Sequence, residues 1–383
     1  MKDKLSKKEL LNLIKKVFPD YKDKDNLAFL IDIPRKTEDD DEKWKERRKL
    51  ASDWARILFE NTVELGLNRV DLIAYRAVSA NNADLPQEGF LLQFENLPKT
   101  ADDLNNHKKL NFKTIFDNYK IFVAMTKFSA TAPLKNNAKK YGFRAATMPG
   151  FSSEMIPALK IDYERVAKKV KYVKEKLDKA VSAEVVFIVD GKEEIKAKFD
   201  LRFRKAHESS GRFPENGTAG NLPSGEAYIV PYEGEMKEKS RTEGIIPVQI
   251  ENDIVYYKVV ENSVIDVFGE GENVFREREH VKREPAYGNI AELGFGVLYD
   301  FGLKPIGEIL LDEKLGFHIA FGRSDHFGGM VGPKDFSSPE EVIHLDRIYI
   351  KEIQPKILVK SLTLKYKNGE EFLIKDNIIL TPI

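Results

Sequence analysis

Between Leu27 and Ile33 the chain reads LAFLIDI, a short apolar run closed by Pro34, and its length and flanks predict a strand. After the charged stretch Glu38–Lys43, Leu50, Trp54, Ile57 and Leu58 recur at helical spacing, and Gly66 stands where that helix would be capped. Val70 to Val78 and Tyr119 to Met125 predict two further strands. Ser129, Thr131 and Pro133 introduce a predicted helix through Ala138, Lys139 and Tyr141, and Arg144 to Met148 predicts a strand before Pro149-Gly150. Strand, helix and strand in repetition predict an α/β layer with a mostly parallel sheet.

From Tyr163 to Leu177 a Lys- and Glu-rich helix is predicted, with Val166, Val170, Val173 and Leu177 as its apolar stripe, and it reads as a connector. Beyond it the pattern turns to period two. Val185 to Val189, a turn at Asp190-Gly191 and Glu194 to Phe203 predict one hairpin. Ser361 to Tyr366, a turn at Asn368-Gly369 and Glu371 to Ile374 predict another. The expected fold is therefore mixed α/β (α+β). An N-terminal α/β domain, residues 1–180, would precede a C-terminal β-rich metal-binding domain, residues 181–383, with the site expected in the cleft between them.

Composition narrows the function classes. A chain of 383 residues and 43.8 kDa is long for one core and suggests two domains. Its 62 basic residues balance 62 acidic ones, so no net field draws it to nucleic acid or to an anionic membrane. Cysteine is absent, which removes disulfides, thiolate zinc sites and cysteine nucleophiles together and fits a reducing cytoplasm. Met1-Lys2-Asp3-Lys4-Leu5-Ser6 carries no apolar signal core, and no stretch approaches the ~18 apolar residues of a spanning helix, so a cytoplasmic protein is expected.

Against that background a few polar residues stand out. His318 and His344 each lie in a β-like apolar run, where a polar side chain must find a partner. His344 and Asp346 are two apart, and on a strand such residues point to one face, so both can reach one ion. Glu226, Glu292 and Glu313 are isolated acids in apolar or Gly-rich surroundings. Imidazole and carboxylate donors together suit zinc, cobalt, manganese or ferrous iron. Each residue also has a plainer reading. A buried histidine is more often a hydrogen-bonded core residue, Glu226 an edge charge and Glu313 a solvated turn residue. Glu292 sits among alternating glycines, Gly294 and Gly296, which let backbone come close to a ligand. His107 and His280 read as surface residues, and His207 as a polar loop residue. Gly269-Glu270-Gly271, Gly322 and Gly328-Gly329 meet no phosphate-loop spacing, and no Gly-x-Ser-x-Gly elbow occurs.

Taken together, four segments in order resemble the aminopeptidase T / leucyl aminopeptidase family, the thermophilic metalloproteases. They are Asn221-Leu222-Pro223-Ser224-Gly225-Glu226 through Pro231, the segment around Glu292, Leu310 to Gly322, and Val342 to Arg347. The similarity spans residues 219–350, and a looser likeness covers Ser129-Ala130-Thr131 to Pro149-Gly150. The resemblance implies a dinuclear site with Glu292 as bridge, His318, His344 and Asp346 as terminal ligands, Glu226 as ligand or base, and Glu313 as a further ligand. It implies two ions of zinc, cobalt or manganese, release of N-terminal amino acids from short peptides or amino-acyl substrates, and a homodimer. One position departs from the pattern. The tyrosine that family peptidases carry seven residues beyond the first histidine is Asp325 here, within Arg323-Ser324-Asp325-His326.

Two other functions compete. The same fold family is similar to 2,5-dihydroxypyridine dioxygenases, in which His318, His344 and Asp346 would hold one Fe(II) with positions open for dioxygen and a ring to be cleaved. A non-catalytic binding protein on the same scaffold is the third.

Overall fold

The computed structural model describes residues 3–21 and 24–382; Met1, Lys2, Lys22, Asp23 and Ile383 lie outside it, and with them the first two residues of the N-terminal stretch read above. The chain divides into two compact units, Met1–Glu164 with Ser209–Ser224, and Arg165–Glu208 with Gly225–Ile383. The division differs from a single boundary at residue 180 in two respects. The helix Tyr163–Leu177 belongs almost wholly to the second unit, because Val166, Val170, Val173 and Leu177 are fully buried there and Lys169 and Lys176 pair with Asp300 and Glu371. Residues 209–224 return to the first unit because Ala219–Asn221 joins its sheet.

In the first unit seven strands form one sheet. They are β1 (Asn26–Ile33), β2 (Arg69–Arg76), β3 (Glu88–Leu92), β4 (Lys108–Asn111), β5 (Ile121–Ala124), β6 (Arg144–Thr147) and, later in the chain, β10 (Ala219–Asn221), in the order β10-β6-β5-β1-β2-β3-β4. The first five in that order run parallel, and β3 and β4 add an antiparallel edge. The expected mostly parallel sheet is therefore present, with an edge that the hydrophobic pattern did not announce. From Leu27 to Ile33 every residue of β1 is buried, as a parallel strand covered on both faces requires. Phe112, Phe116, Leu134 and Phe143 cover one face over Leu30, Tyr75 and Phe122.

The second unit holds two antiparallel sheets. The larger runs β14 (Ser263–Gly269), β13 (Asp253–Val260), β12 (Glu243–Ile250), β8 (Glu193–Asp200), β7 (Ser182–Val189), β18 (Ile357–Lys365), β19 (Glu370–Lys375), β20 (Ile378–Ile379), and both predicted hairpins are part of it. The smaller runs β17 (His344–Ile348), β16 (Phe317–Gly322), β15 (Ile290–Gly296), β11 (Glu226–Ile229), β9 (His207–Ser209). Its central strands alternate, apart from a bulge in β15 between Ile290 and Glu292. Leu293, Phe295, Phe317, Ile319 and Phe321 point one way, and rings from the two sheets meet there, Tyr257 on Phe321 at 4.9 Å between centroids. Every second residue points the other way, and those residues are polar or small, Glu292 and His318 beside Gly294 and Ala320. Among the described residues no helix is long and apolar enough to cross a membrane.

Candidate metal centre

Antiparallel register carries the candidate ligands to one face of the smaller sheet. Cross-strand partners share a face. Glu226 pairs with Gly296 and Tyr228 with Gly294, Gly294 pairs with His318, Glu292 with Ala320, Ala320 with Asp346, and Gly322 with His344. The centre of this face is lined by small residues, so the long side chains around it converge. Gly294 shows how tight the fit is. A Cβ built there would lie 1.8 Å from His318 Nε2, and one at Gly296 would lie 2.2 Å from the Lys314 carbonyl carbon. The alternating glycines thus admit the protein's own imidazole and the turn at Lys314, where the sequence alone suggested approach of a ligand.

Both imidazoles reach Glu292. His318 Nε2 is 3.3 Å from its Oε1, and His344 Nε2 is 3.5 Å from its Oε2. Asp346 Oδ1 lies 3.9 Å from His318 Nε2 and 3.6 Å from His344 Nε2, and Glu226 Oε2 lies 3.8 Å from His318 Nε2. The other ring nitrogens face backbone. His318 Nδ1 is 3.2 Å from Gly316 O and His344 Nδ1 is 2.7 Å from Arg323 O. A carbonyl can only accept, so each Nδ1 carries the proton and each Nε2 is turned to the carboxylates, the orientation that outer-shell partners impose on metal-binding histidines.

Glu313 and Lys314 form the next part of the cluster. The turn that carries them is held by Asp312, which accepts from Ile306 N and Gly307 N at 2.9 Å each. The Lys314 ammonium, buried, donates to Glu226 Oε1 at 2.5 Å and to Glu313 Oε1. Glu226 Oε2 has no hydrogen-bond partner although it is buried.

The structure therefore brings all six predicted residues, Glu226, Glu292, Glu313, His318, His344 and Asp346, into one cluster, and one donor atom each of Glu226, Glu292 and His318 lie within 4.8 Å of one another. Three neighbours were not singled out from sequence. Lys314 follows Glu313, whose plainer reading was a solvated turn residue. Tyr228 follows Glu226 by two places on β11, and the i, i+2 rule applied to His344 and Asp346 would have found it. His207, given no weight, stacks on Tyr228 with centroids 5.2 Å apart.

The exposed side of the site is marked by His344, whose side chain is 20% exposed against 1% for His318. The loop 323–332 lies there, pinned by Glu233, which accepts from Ser324 Oγ at 2.6 Å and from Met330 N. From that loop His326 meets His344 edge-on at 5.2 Å, and Phe327 packs on Tyr228 at 4.8 Å. Asp325 accepts from Arg323 Nε at 2.6 Å.

Burial and charge set the protonation of the metal-free cluster. Burial pushes Glu292 up, but its hydrogen bonds from His318 and His344 outweigh that and hold it at about 2. Asp346 is likewise pushed up by burial and held below the usual range by His344. Burial opposes the charged form of His318, yet Glu292 and Asp346 raise it to about 9, and His344 is raised well above its ordinary value by Asp346 and Glu292. Burial raises Glu226 and takes Glu313 to about 8. Burial, with the negative charges of Glu292, Glu226 and Glu313, raises Tyr228, so its phenol keeps its proton.

These shifts imply a pH profile for the metal-free protein. His318, raised from 6.5 to about 9, contributes stability that is full below 6.5 and is lost as pH rises through 9. Glu292, lowered from 4.5 to about 2, contributes stability that is full above 4.5 and is lost as pH falls through 2. Glu313, raised from 4.5 to about 8, adds to the alkaline loss. In chelator, the melting temperature is expected to peak on the acid side of neutrality and fall toward pH 9. A flat profile across that range would contradict the cluster as drawn.

No family model matches the sequence, and no curated protein matches it. In fold the chain is similar to 2,5-dihydroxypyridine dioxygenase from Pseudomonas putida KT2440, with a TM-score of 0.61 and 13% identity over 99% of both chains. AmpT from Thermus thermophilus superposes with a TM-score of 0.46 and 15% identity over 98% of both chains. The first likeness speaks to the fold alone, and the second is too loose to argue from. Fold and site define a mixed α/β chain with a buried carboxylate–imidazole cluster fit for a divalent metal.

Proposed function

We propose that this chain is a metal-dependent, aminopeptidase-like hydrolase that removes N-terminal amino acids from short peptides. One observation carries the reading: the two oxygens of Glu292 face two different imidazoles, each with its Nδ1 tied to a backbone carbonyl. That arrangement suits a bridging carboxylate. Glu226 Oε2, Glu292 and His318 would hold one ion, and Glu292, His344 and Asp346 a second. The unpartnered, buried Glu226 Oε2 supports the fit, because a buried acceptor without a partner is costly. Zinc, cobalt or manganese bound there would act as a Lewis acid on a scissile carbonyl and acidify a water.

The chain's own groups do the rest. Glu292 and Glu226 are the catalytic carboxylates, the first fixing both imidazoles and the second turning its one free oxygen, Oε2, toward the ion while Lys314 holds Oε1. Tyr228 keeps its phenolic proton on the same face of the sheet and can donate to an oxyanion, a part that Asp325, tied to Arg323, does not offer. His326, pushed down to about 4 by burial and by His344, is neutral at pH 7 and borders the exposed side.

Metal-loaded protein is expected to hydrolyse amino-acyl amides or dipeptides, and a chelator to abolish it. Binding should also release protons, since His318 and His344 must give theirs up, so affinity rises with pH. No turnover across a broad dipeptide panel at full metal loading would defeat the reading.

A second reading has its own support. Asp346 Oδ1 lies within reach of both imidazoles, so His318, His344 and Asp346 can also serve a single Fe(II), as a ring-cleaving dioxygenase needs. Elemental analysis separates the two: two zinc-like ions per chain support the hydrolase, one iron the dioxygenase. Protein that binds no metal in supplemented buffer and melts unchanged would support a non-catalytic binding protein instead.

A further inference from the structure

Within the cluster one positive charge is supplied by the chain. The Lys314 side chain is 2% exposed, and its ammonium stands between Glu226 Oε1 and Glu313 Oε1. Its backbone is held against β15, where any side chain at Gly296 would strike the carbonyls of Glu313 and Lys314. The ammonium therefore has little freedom to withdraw. Glu226 divides its oxygens, one on Lys314 and the other, unpartnered, 3.8 Å from His318 Nε2.

We propose that the Lys314 ammonium is itself one cation of this cluster, occupying the position between Glu226 and Glu313 and keeping Glu313 away from the divalent ions. Two carboxylates facing each other in a buried place need a positive charge between them, and an ammonium or a metal ion can supply it. Here the ammonium is tethered, so the place is filled before any ion arrives. Glu226 then offers the ions one oxygen, and Glu313 is a partner of Lys314. A lysine that only stabilises the turn would leave the number of bound ions untouched when replaced. A lysine that stands in for an ion would not.

The inference rests on the metal reading, and metal counting tests both. Wild type, Lys314→Met and Glu313→Gln are dialysed against cobalt at neutral pH, and bound cobalt per chain is measured, with a melt in chelator to check folding. Lys314→Met is expected to hold one more ion per chain than wild type, because Glu226 and Glu313 are left facing each other with no cation. Glu313→Gln is expected to hold the wild-type number. Equal or lower metal in folded Lys314→Met, or an ion lost in Glu313→Gln, overturns the inference and leaves the metal reading standing. If Lys314→Met does not fold, Glu313→Gln decides alone. Wild type without metal overturns both.

Discussion

Glu292→Gln is expected to leave the chain without bound metal and without hydrolytic activity, the largest functional loss of any single change in the cluster. Glutamine keeps the size of the side chain but replaces one acceptor oxygen with an NH2 group that can only donate. The two imidazoles rest on different oxygens of this carboxylate, at 3.3 and 3.5 Å, so one loses its acceptor and both lose the negative charge they share. Loss of an outer-shell partner of a metal site costs about 10–100-fold in affinity, and loss of a group serving two ions should exceed that. The metal-free protein should suffer too. Removing one partner of a buried ion pair costs roughly 3–5 kcal/mol, because the remaining charge is left uncompensated. His318 would lose the strongest influence holding its pKa up, so the alkaline fall in melting temperature should move to lower pH. Elemental analysis and melts in chelator check these outcomes together. A Glu292→Gln protein that retains two ions per chain would show that Glu292 is not the bridge.

Gly294→Ala should be nearly as damaging, by a wholly different route. Gly294 has an ordinary extended backbone, so alanine suffers no conformational strain there, and the cost is steric. Its Cβ would sit 1.8 Å from His318 Nε2 and 2.1 Å from Cε1. The imidazole cannot yield, since His318 is buried, its Nδ1 is tied to Gly316 O, and Glu292 and Glu226 flank its Nε2. Overfilling a packed site by a methylene costs about 1–3 kcal/mol, and so close an overlap should reach or pass the upper end. Metal should be lost along with stability, because a displaced His318 no longer faces Glu292. Melts with and without metal separate the effects: wild type gains stability from metal and Gly294→Ala does not. A variant with wild-type melting temperature and metal content would mean that the imidazole does not lie over Gly294.

Much of this site was legible along the chain because a strand has period two. In Phe317-His318-Ile319-Ala320-Phe321-Gly322 the even positions are polar or small and the odd ones apolar, and the same alternation runs from Ala291 to Gly296 and from His344 to Asp346. That pattern says which side chains share a face of their own strand. It does not say which strands are neighbours, or in what register. Glu226 and His318 meet only because β15 stands between their strands and is paired with both. Lys314 escaped notice because charged residues in a turn usually face water, and only its contact with β15 turns it inward.

The same division holds for the fold. Local composition by itself determined the apolar parallel strands of the first unit, the amphipathic helix Tyr163–Leu177, the two hairpins with their Gly-containing turns, and the metal-loving donors. These follow from short-range rules that a segment obeys wherever it ends up. Tertiary structure alone decided that residues 209–224 rejoin the first sheet, that β3 and β4 form its antiparallel edge, and that an ammonium stands among the carboxylates. Those outcomes depend on pairings between segments far apart in the chain, and their energies come from surfaces that exist only once the partners have met.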